Sequence, residues 1–391
     1  MPALPFEIVE DILRRLPVKS LKRFRAVAKS WCFLIDSERF AKLHLQQSLI
    51  SNTNRSLILG GLGLYRIGLD SLEEAEVIKP PFYYRSVDGI SNSCNGVVLV
   101  MCEPAVLWNP FSADFKVLPE CSDGSPTEVE LYPRTTYGFG YVSRTDDYKV
   151  VRVVEFRHKI NHFWMYAESS IYSLRSNCWT KIDSFPYPLP FLRGHWRVHV
   201  NGALHTLEIS DLMDSARIMA FDLDTEKHNE LTMPPGIQAR NFDLNLDMIG
   251  GCLSVVCSRR SRVIVWVMKE YGVKESWTKL FSISFPEIER DDFLKLLVYS
   301  QDGNRVLLNC DDKRLVWYDL RKKTAEKVCV EGIPFVFYAE ACVETLISPD
   351  SSGEVKKLQH VETKRSQEKR KVQKIRNKRD DFLSEGFKLV L

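Results

Sequence analysis

A single turn signal, repeated along most of the chain, constrains the fold more than any other feature. Asn95-Gly96, Asp146-Asp147, Asn201-Gly202, Gly250-Gly251 and Asp302-Gly303 each precede a short apolar run, and counted from 95, 147, 201, 250 and 302 the steps are 52, 54, 49 and 52 residues. The runs themselves (GVVLVMC, YKVVRVVEF, ALHTLEI, CLSVVC and RVLLNC) are rich in Val, Leu and Ile and bounded by polar or glycine-containing turns. That is the pattern of antiparallel strands. A second set of landmarks agrees with the period. Trp179-Thr180-Lys181 recurs as Trp277-Thr278-Lys279, 98 residues on, and Phe221-Asp222-Leu223 as Tyr318-Asp319-Leu320, 97 residues on.

A period near 50 residues with several strands in each unit lies in the kelch-type propeller range. Units are expected near residues 94–135, 137–190, 199–238, 249–290 and 297–330, with a sixth at 57–85. The run from Phe335 to Ile347 is placed to supply a strand that closes the ring against the first unit, since closure removes free edges. The fold class expected is therefore mainly β: a degenerate kelch-like β-propeller of about six blades over 57–350. Tyr137-Gly138-Phe139-Gly140-Tyr141 is expected to be a strand with small residues for tight packing, because no helix follows it as a phosphate loop requires.

The first 46 residues are different in kind. Pro5 suits a first helical turn, and Ile8, Ile12, Leu13 and Leu16 then recur on one helical face until Pro17 stops the helix. Further short helices carry Leu21, Phe24 and Val27, then Trp31, Leu34 and Ile35. A fourth, capped by Asp36 or Ser37, holds Phe40, Leu43 and Leu45. About 40 residues cannot hide so many large apolar groups alone. The segment is either a cap packed on the rest of this chain or a docking module whose apolar face belongs to another protein. Residues 47–56, polar and breaker-rich, are expected to form a linker.

Leu4-Pro5, Ile8, Ile12-Leu13, Leu16-Pro17, Leu21, Val27, Lys29, Trp31, Leu34-Ile35 and Phe40 together resemble the F-box, in order and at the family's spacing. Ala28 is one departure, where many plant members carry Cys or Ser. The resemblance implies that Leu4, Pro5, Ile8, Ile12, Leu13, Leu16, Pro17, Leu21, Val27, Trp31, Leu34 and Ile35 meet a Skp1-like adaptor and, through it, cullin and RING subunits of a ubiquitin ligase. The degenerate repeats resemble the plant F-box-associated and kelch-like domains. The whole chain, with its tail and Trp-Thr-Lys units, is similar to plant F-box proteins that restrain defence. That likeness implies a target protein marked for degradation, with an intracellular immune receptor as the candidate.

The net charge of +3 conceals a division. Residues 356–379 contain 11 Lys/Arg and two Glu, so the rest of the chain is mildly acidic. Within this tail (351–391), Lys364, Arg365, Lys369, Arg370 and Lys371 are nuclear-import candidates, against the alternative of a solvated arm. Specific nucleic-acid binding lacks the aromatic interleaving it needs. No apolar stretch approaches the length of a membrane span, and no secretory signal is expected, since Glu7, Glu10 and Asp11 stand where its apolar region would be. The ten cysteines form no C-x-x-C pair, which fits free thiols in a reducing nuclear or cytoplasmic setting better than zinc or disulfides.

The eight histidines lack the H-E-x-x-H glutamate, and no nucleophile elbow or dinucleotide fingerprint occurs. The acidic pairs sit in turns, where turn chemistry explains them. No catalytic residue, metal or cofactor is expected. A non-catalytic substrate adaptor is therefore the expected role. The alternatives are a propeller enzyme with a helical cap and a Skp1-bound scaffold without ligase function.

Overall fold

The computed structural model describes residues 5–61, 63–82, 89–102, 104–121, 130–187, 189, 196, 198–210, 215–259, 262–284 and 294–350. These residues form six four-stranded antiparallel sheets and four helices. The sheets are arranged as a propeller, with the innermost strand of each nearest the axis and most of these strands touching their counterparts in neighbouring blades.

Blade II comprises Gly89–Cys94, Val97–Met101, Val106–Trp108 and Phe115–Val117, and blade III Leu131–Val142, Asp147–His158, Trp164–Ser173 and Cys178–Ile182. Blade IV comprises Val198–Val200, Ala203–Ser210, Ser215–Asp222 and His228–Leu231, and blade V Asp243–Ile249, Cys252–Arg259, Arg262–Met268 and Trp277–Ser284. Blade VI comprises Leu294–Tyr299, Arg305–Cys310, Arg314–Asp319 and Thr324–Val328. Blade I is composite. Its outer three strands, Arg55–Gly60, Leu64–Gly68 and Glu76–Ile78, follow the helices, whereas its innermost strand, Tyr338–Val343, arrives from the other end of the chain. Leu57 pairs with Ala341 and Leu59 with Ala339 in that closure. The closing strand is where the sequence places it.

The five turn landmarks all join the first strand of a blade to its second. Asn95, Asp146 and Asn201 have positive φ there, as do Gly96, Gly202, Gly250, Gly251 and Gly303. Such turns match the twist of a tight hairpin. The repeat is therefore real, but counting from the turn places the start of most units inside or at the end of the inner strand. Blade II begins at Gly89, not 94, and the segment near 131–142 is the inner strand of blade III, not the end of blade II. The second strands read as continuous apolar runs because both of their faces pack between neighbouring blades. Val97–Met101 is buried throughout.

The other landmarks also have one structural job each. The Trp179 indole donates to the Pro119 carbonyl at 2.8 Å, and the Trp277 indole donates to the Thr232 carbonyl at 2.8 Å. Each ties an outer strand to the connection leaving the preceding blade. Asp222 accepts the backbone N–H groups of Asp224 and Thr225, and Asp319 those of Arg321 and Lys322, in equivalent turns. Gly138 and Gly140 are the close-packed positions expected of them. A methyl on Gly140 would lie 2.3 Å from His199 Cδ2 and one on Gly138 2.6 Å from Leu204 Cδ1.

The helices are α1 (Phe6–Leu13), α2 (Val18–Phe24), α3 (Lys29–Ile35) and α4 (Glu38–Ser51). Helix α1 ends before Leu16, and Pro17 caps the start of α2 instead of stopping α1. Ser37 Oγ accepts the Phe40 N–H at 3.2 Å, capping α4 as expected. The expected linker, 47–56, is not one: α4 runs through Ser51, Asn52 ends it in the left-handed region, and the first strand begins at Arg55. Asn can take that conformation at low cost, so helix and propeller join with almost no slack.

Candidate functional site

Leu13, Leu21, Leu34, Ile35 and Phe40 form the core of the helical module, with Val9, Leu16, Phe24 and Trp31 packed against them. Phe24 and Trp31 meet edge to face at 5.8 Å. The remaining positions of the motif lie elsewhere. Ile8, Ile12 and Val27 are exposed large apolar side chains, and Pro5 and Pro17 are also exposed. Leu4 lies outside the described residues. The twelve motif positions thus divide into a structural set (Leu13, Leu16, Leu21, Trp31, Leu34, Ile35) and a solvent-facing set (Pro5, Ile8, Ile12, Pro17, Val27). The structure adds Phe6 and Phe33 to the second set. Phe33 falls off the apolar stripe of α3, and that mismatch was its only signal in the sequence.

Ion pairs frame this surface. Arg25 grips Asp36 with both nitrogens, at 2.6 and 2.7 Å, and so fixes the turn that carries Val27. That contact also raises the Arg25 pKa above its ordinary value. Arg39 reaches Glu10 at 3.0 Å and ties α4 to α1. Pairs as exposed as these are individually weak and serve mainly to set geometry.

The module does not hang free. Ala41 and Leu45 of α4 belong to the same apolar core as Cys94, Val97, Leu99 and Ile347, and Leu346 touches both this core and that of the helices. Val18 packs with Ile58 and Val98 of blades I and II. Lys42 Nζ donates to Asp146 at 2.5 Å, in the first turn of blade III, and Tyr141 Oη donates to the same carboxylate at 2.6 Å. The hydrogen bonds from Lys42 and the Tyr141 hydroxyl hold Asp146 below the usual carboxylate range. The buried His44 ring nitrogen Nε2 lies 2.9 Å from the Leu16 carbonyl. The helical segment therefore packs on this chain and also keeps an exposed apolar surface.

Near the propeller axis, Lys295 Nζ donates to Glu340 at 2.6 Å and to the Ala339 carbonyl at 3.0 Å. Burial pushes the neighbouring Asp247 up to about 6. Cys94 Sγ and His199 Nδ1 are 3.9 Å apart, but burial pushes the thiol up to about 12 and the imidazole down to about 4. Both are neutral near pH 7, so this pair does not supply a thiolate. Among the described residues no group of three His, Cys, Asp or Glu is placed to hold a metal ion. No described helix is long and apolar enough to cross a membrane. None of the described cysteines is in a disulfide, and Cys94, Cys102, Cys257, Cys310 and Cys342 are buried. The tail positions Lys364, Arg365, Lys369, Arg370 and Lys371 lie outside the described residues.

A helical F-box fixed to a six-bladed propeller defines a class. Residues 1–43 match the F-box domain, and residues 72–366 match the F-box associated beta propeller domain. The chain belongs to the F-box proteins that carry this propeller. Among its relatives, F-box protein CPR1 of Arabidopsis thaliana is 33% identical over all of both chains. The F-box/kelch-repeat protein At3g23880 of the same plant is 33% identical, over 78% of this chain and 85% of the relative. Among solved structures, an oligogalacturonate lyase in complex with manganese aligns with 71% of this chain and 74% of its own, at 12% identity and a TM-score of 0.42. Nothing of the lyase's chemistry transfers at that level.

Proposed function

We propose that the chain is a substrate-recognition subunit of an SCF ubiquitin ligase. The observation that carries this reading is the exposed apolar set Phe6, Ile8, Ile12, Val27 and Phe33, on a module whose own core is already complete. In this reading those side chains, with Pro5 and Pro17, dock a Skp1-like adaptor, which links to cullin and RING subunits. Leu13, Leu16, Leu21, Trp31, Leu34 and Ile35 hold the helices that present them. The propeller carries a target protein. Ubiquitination then follows from proximity: target lysines are held near a charged ubiquitin carrier, which needs no catalytic group in this chain. Co-purification with a Skp1-type adaptor tests the proposal, and no association of the full-length chain would refute it.

The target is proposed to be an intracellular immune receptor, on the likeness to defence-restraining F-box proteins. Proximity labelling with the proteasome blocked checks it, and labelling that never includes a receptor of that class counts against it. Action in both nucleus and cytoplasm is proposed from the basic tail. Replacing Lys369, Arg370 and Lys371 with Gln is expected to lower nuclear accumulation of a fluorescent fusion. An unchanged distribution favours a solvated arm.

A further inference from the structure

The chain does not stop at the strand that closes the ring. The run expected to close it extends to Ile347, but the strand ends at Val343, and residues 344–350 continue outside any sheet. Thr345, Ile347 and Pro349 are nevertheless buried. A buried stretch of this kind must satisfy its backbone groups without a ladder.

Its first anchor is the junction between helix and propeller. Asn52 and Asn54 both have positive φ there. The Glu344 N–H donates to the Asn54 carbonyl at 2.7 Å, and Ser56 Oγ donates to the Glu344 carboxylate at 2.7 Å. The second anchor is blade II. Thr345 Oγ1 donates to the Asn95 carbonyl at 2.9 Å. Asn109, itself fully buried, donates through Nδ2 to the carbonyls of Thr345 at 3.0 Å and Ile347 at 2.7 Å. Its Oδ1 accepts the N–H groups of Phe111 and Ser112, so both ends of the amide are used. Gly96 leaves the space: a methyl there would lie 2.5 Å from Thr345 Oγ1.

The third anchor is the side chain of Leu346. It packs against the core of the helical module, the core shared by blades I and II, and the core that joins Ala41 and Leu45 of α4 to Phe139 and Val150 of blade III. Asp350 then reaches blade III, where burial, and after it nearby charges that include Asp350, raise the Tyr172 hydroxyl. The segment thus runs from blade I across blade II to blade III, against α4. The other ties between F-box and propeller are slighter. Val18 packs among residues of blades I and II, and the Lys42–Asp146 pair is solvent-exposed on both sides and therefore weak. A junction as short as Asn52–Asn54 allows little drift, but such a junction can act as a hinge.

We propose that residues 344–350 are a positioning strap that fixes the angle between the F-box and the propeller, with Asn109 and Leu346 as its positioning residues. Three anchors that do not lie in line hold a body against rotation, which one short junction cannot do. In a ligase subunit a fixed angle keeps the target-bearing face at one distance from the ubiquitin carrier, so that proximity becomes rate. The inference rests on the ligase-subunit reading above for that consequence, but not for its test.

The experiment uses the full-length chain with spin labels on unnatural side chains replacing Arg23 of α2 and Lys322 of blade VI, both exposed. Double electron–electron resonance is expected to give one narrow distance for the parent. Thr345→Val with Leu346→Ala removes the hydroxyl bond and the apolar wedge but keeps the closing strand, and is expected to widen the distribution about twofold. Leu346→Met conserves volume and is expected to keep the parental width. Adaptor affinity is expected to stay within about twofold of the parent's, because the docking side chains are on the exposed surface of the module. In the reconstituted ligase, the modified lysines of the chain, mapped by mass spectrometry, are expected to spread over more positions in the double variant. A broad parental distribution, or a double variant as narrow as the parent, overturns the proposal. Hydrogen exchange on the unsubstituted chain decides the matter even if the double variant does not fold. Amides of α4 and of Tyr338–Val343 are expected to open together, and α4 opening while the closing strand stays protected overturns the strap. If no adaptor binds the chain, the ligase reading falls, while label distances and exchange still decide the strap.

Discussion

Replacing Phe33 and Ile12 with Ala separates the docking surface of the F-box from its core. Phe33 is 78% exposed and Ile12 48% exposed in the free chain. Fully burying such a side chain is worth about 1.5–3 kcal/mol. An adaptor that covers what is now exposed therefore gains about 2 kcal/mol from Phe33 and about 1 kcal/mol from Ile12. Part of each survives in the alanine, so the pair is expected to cost about 2–3 kcal/mol of binding. That corresponds to roughly 30- to 150-fold in Kd. Titration calorimetry with a purified Skp1-type adaptor measures it, and thermal unfolding of the free variant provides the control. Surface substitutions of this kind are expected to move stability by less than about 0.5 kcal/mol. Leu21→Ala behaves in the opposite way. Leu21 is fully buried, so its truncation costs about 2–5 kcal/mol of folding. Binding is then lost through the module's stability. If the Phe33/Ile12 variant binds within threefold of the parent, the division into docking and structural residues is wrong.

Gly140→Ala is expected to destabilise the propeller by about 1–3 kcal/mol, because the methyl enters the space of His199 and Leu223; an unchanged denaturant midpoint would contradict the packing. Truncation after Phe337 removes the closing strand and exposes the edge of Arg55–Gly60. The product is expected to lose its cooperative unfolding transition and to aggregate, and a monomeric chain with parental melting would count against closure as a stabilising device. Burial pushes His199 and His205 down to about 4 from 6.5, so the unfolded chain takes up their protons first as pH falls. Their contribution to stability is expected to decline from pH 6.5 to about 4, and His205→Gln should flatten that part of a melting-versus-pH curve. Asp247 acts in the opposite sense. Its carboxyl, raised from 3.8 to about 6, costs stability as pH rises through that window. Asp247→Asn should therefore raise the melting temperature at pH 7, and a lower one would show that the carboxylate is needed in its ionised form.

Most of the architecture was legible because it recurs. The Asn-Gly and Asp-containing turns repeat since each of blades II to VI needs a tight hairpin, with residues in the left-handed region, between its first two strands. The Trp-Thr-Lys pair repeats because both indoles bridge to the preceding blade. Features that occur once were harder to see. The helix-to-propeller junction looks like a linker, since Asn52 and Asn54 are turn formers wherever they stand. Nothing local tells that α4 is held by Leu45 and Ala41 against blade II. The F-box motif does not reveal which of its apolar residues are buried, because core and docking positions use the same side chains. The overlong hairpin of blade III was hidden by the period: its extra residues are accommodated between two landmarks of ordinary spacing.

The proposed function has one chain present a ligase-facing helical surface at one end and a target-facing propeller at the other. Reconstitution tests it most directly. The full-length chain, a Skp1-type adaptor, cullin with its RING subunit, and the ubiquitin-activating and ubiquitin-carrier enzymes are combined with ATP. Ubiquitin transfer to the chain itself is then followed on gels. The account predicts transfer that requires the adaptor and is reduced by the Phe33→Ala/Ile12→Ala variant. No transfer with every component present, or equal transfer without the adaptor, would contradict it.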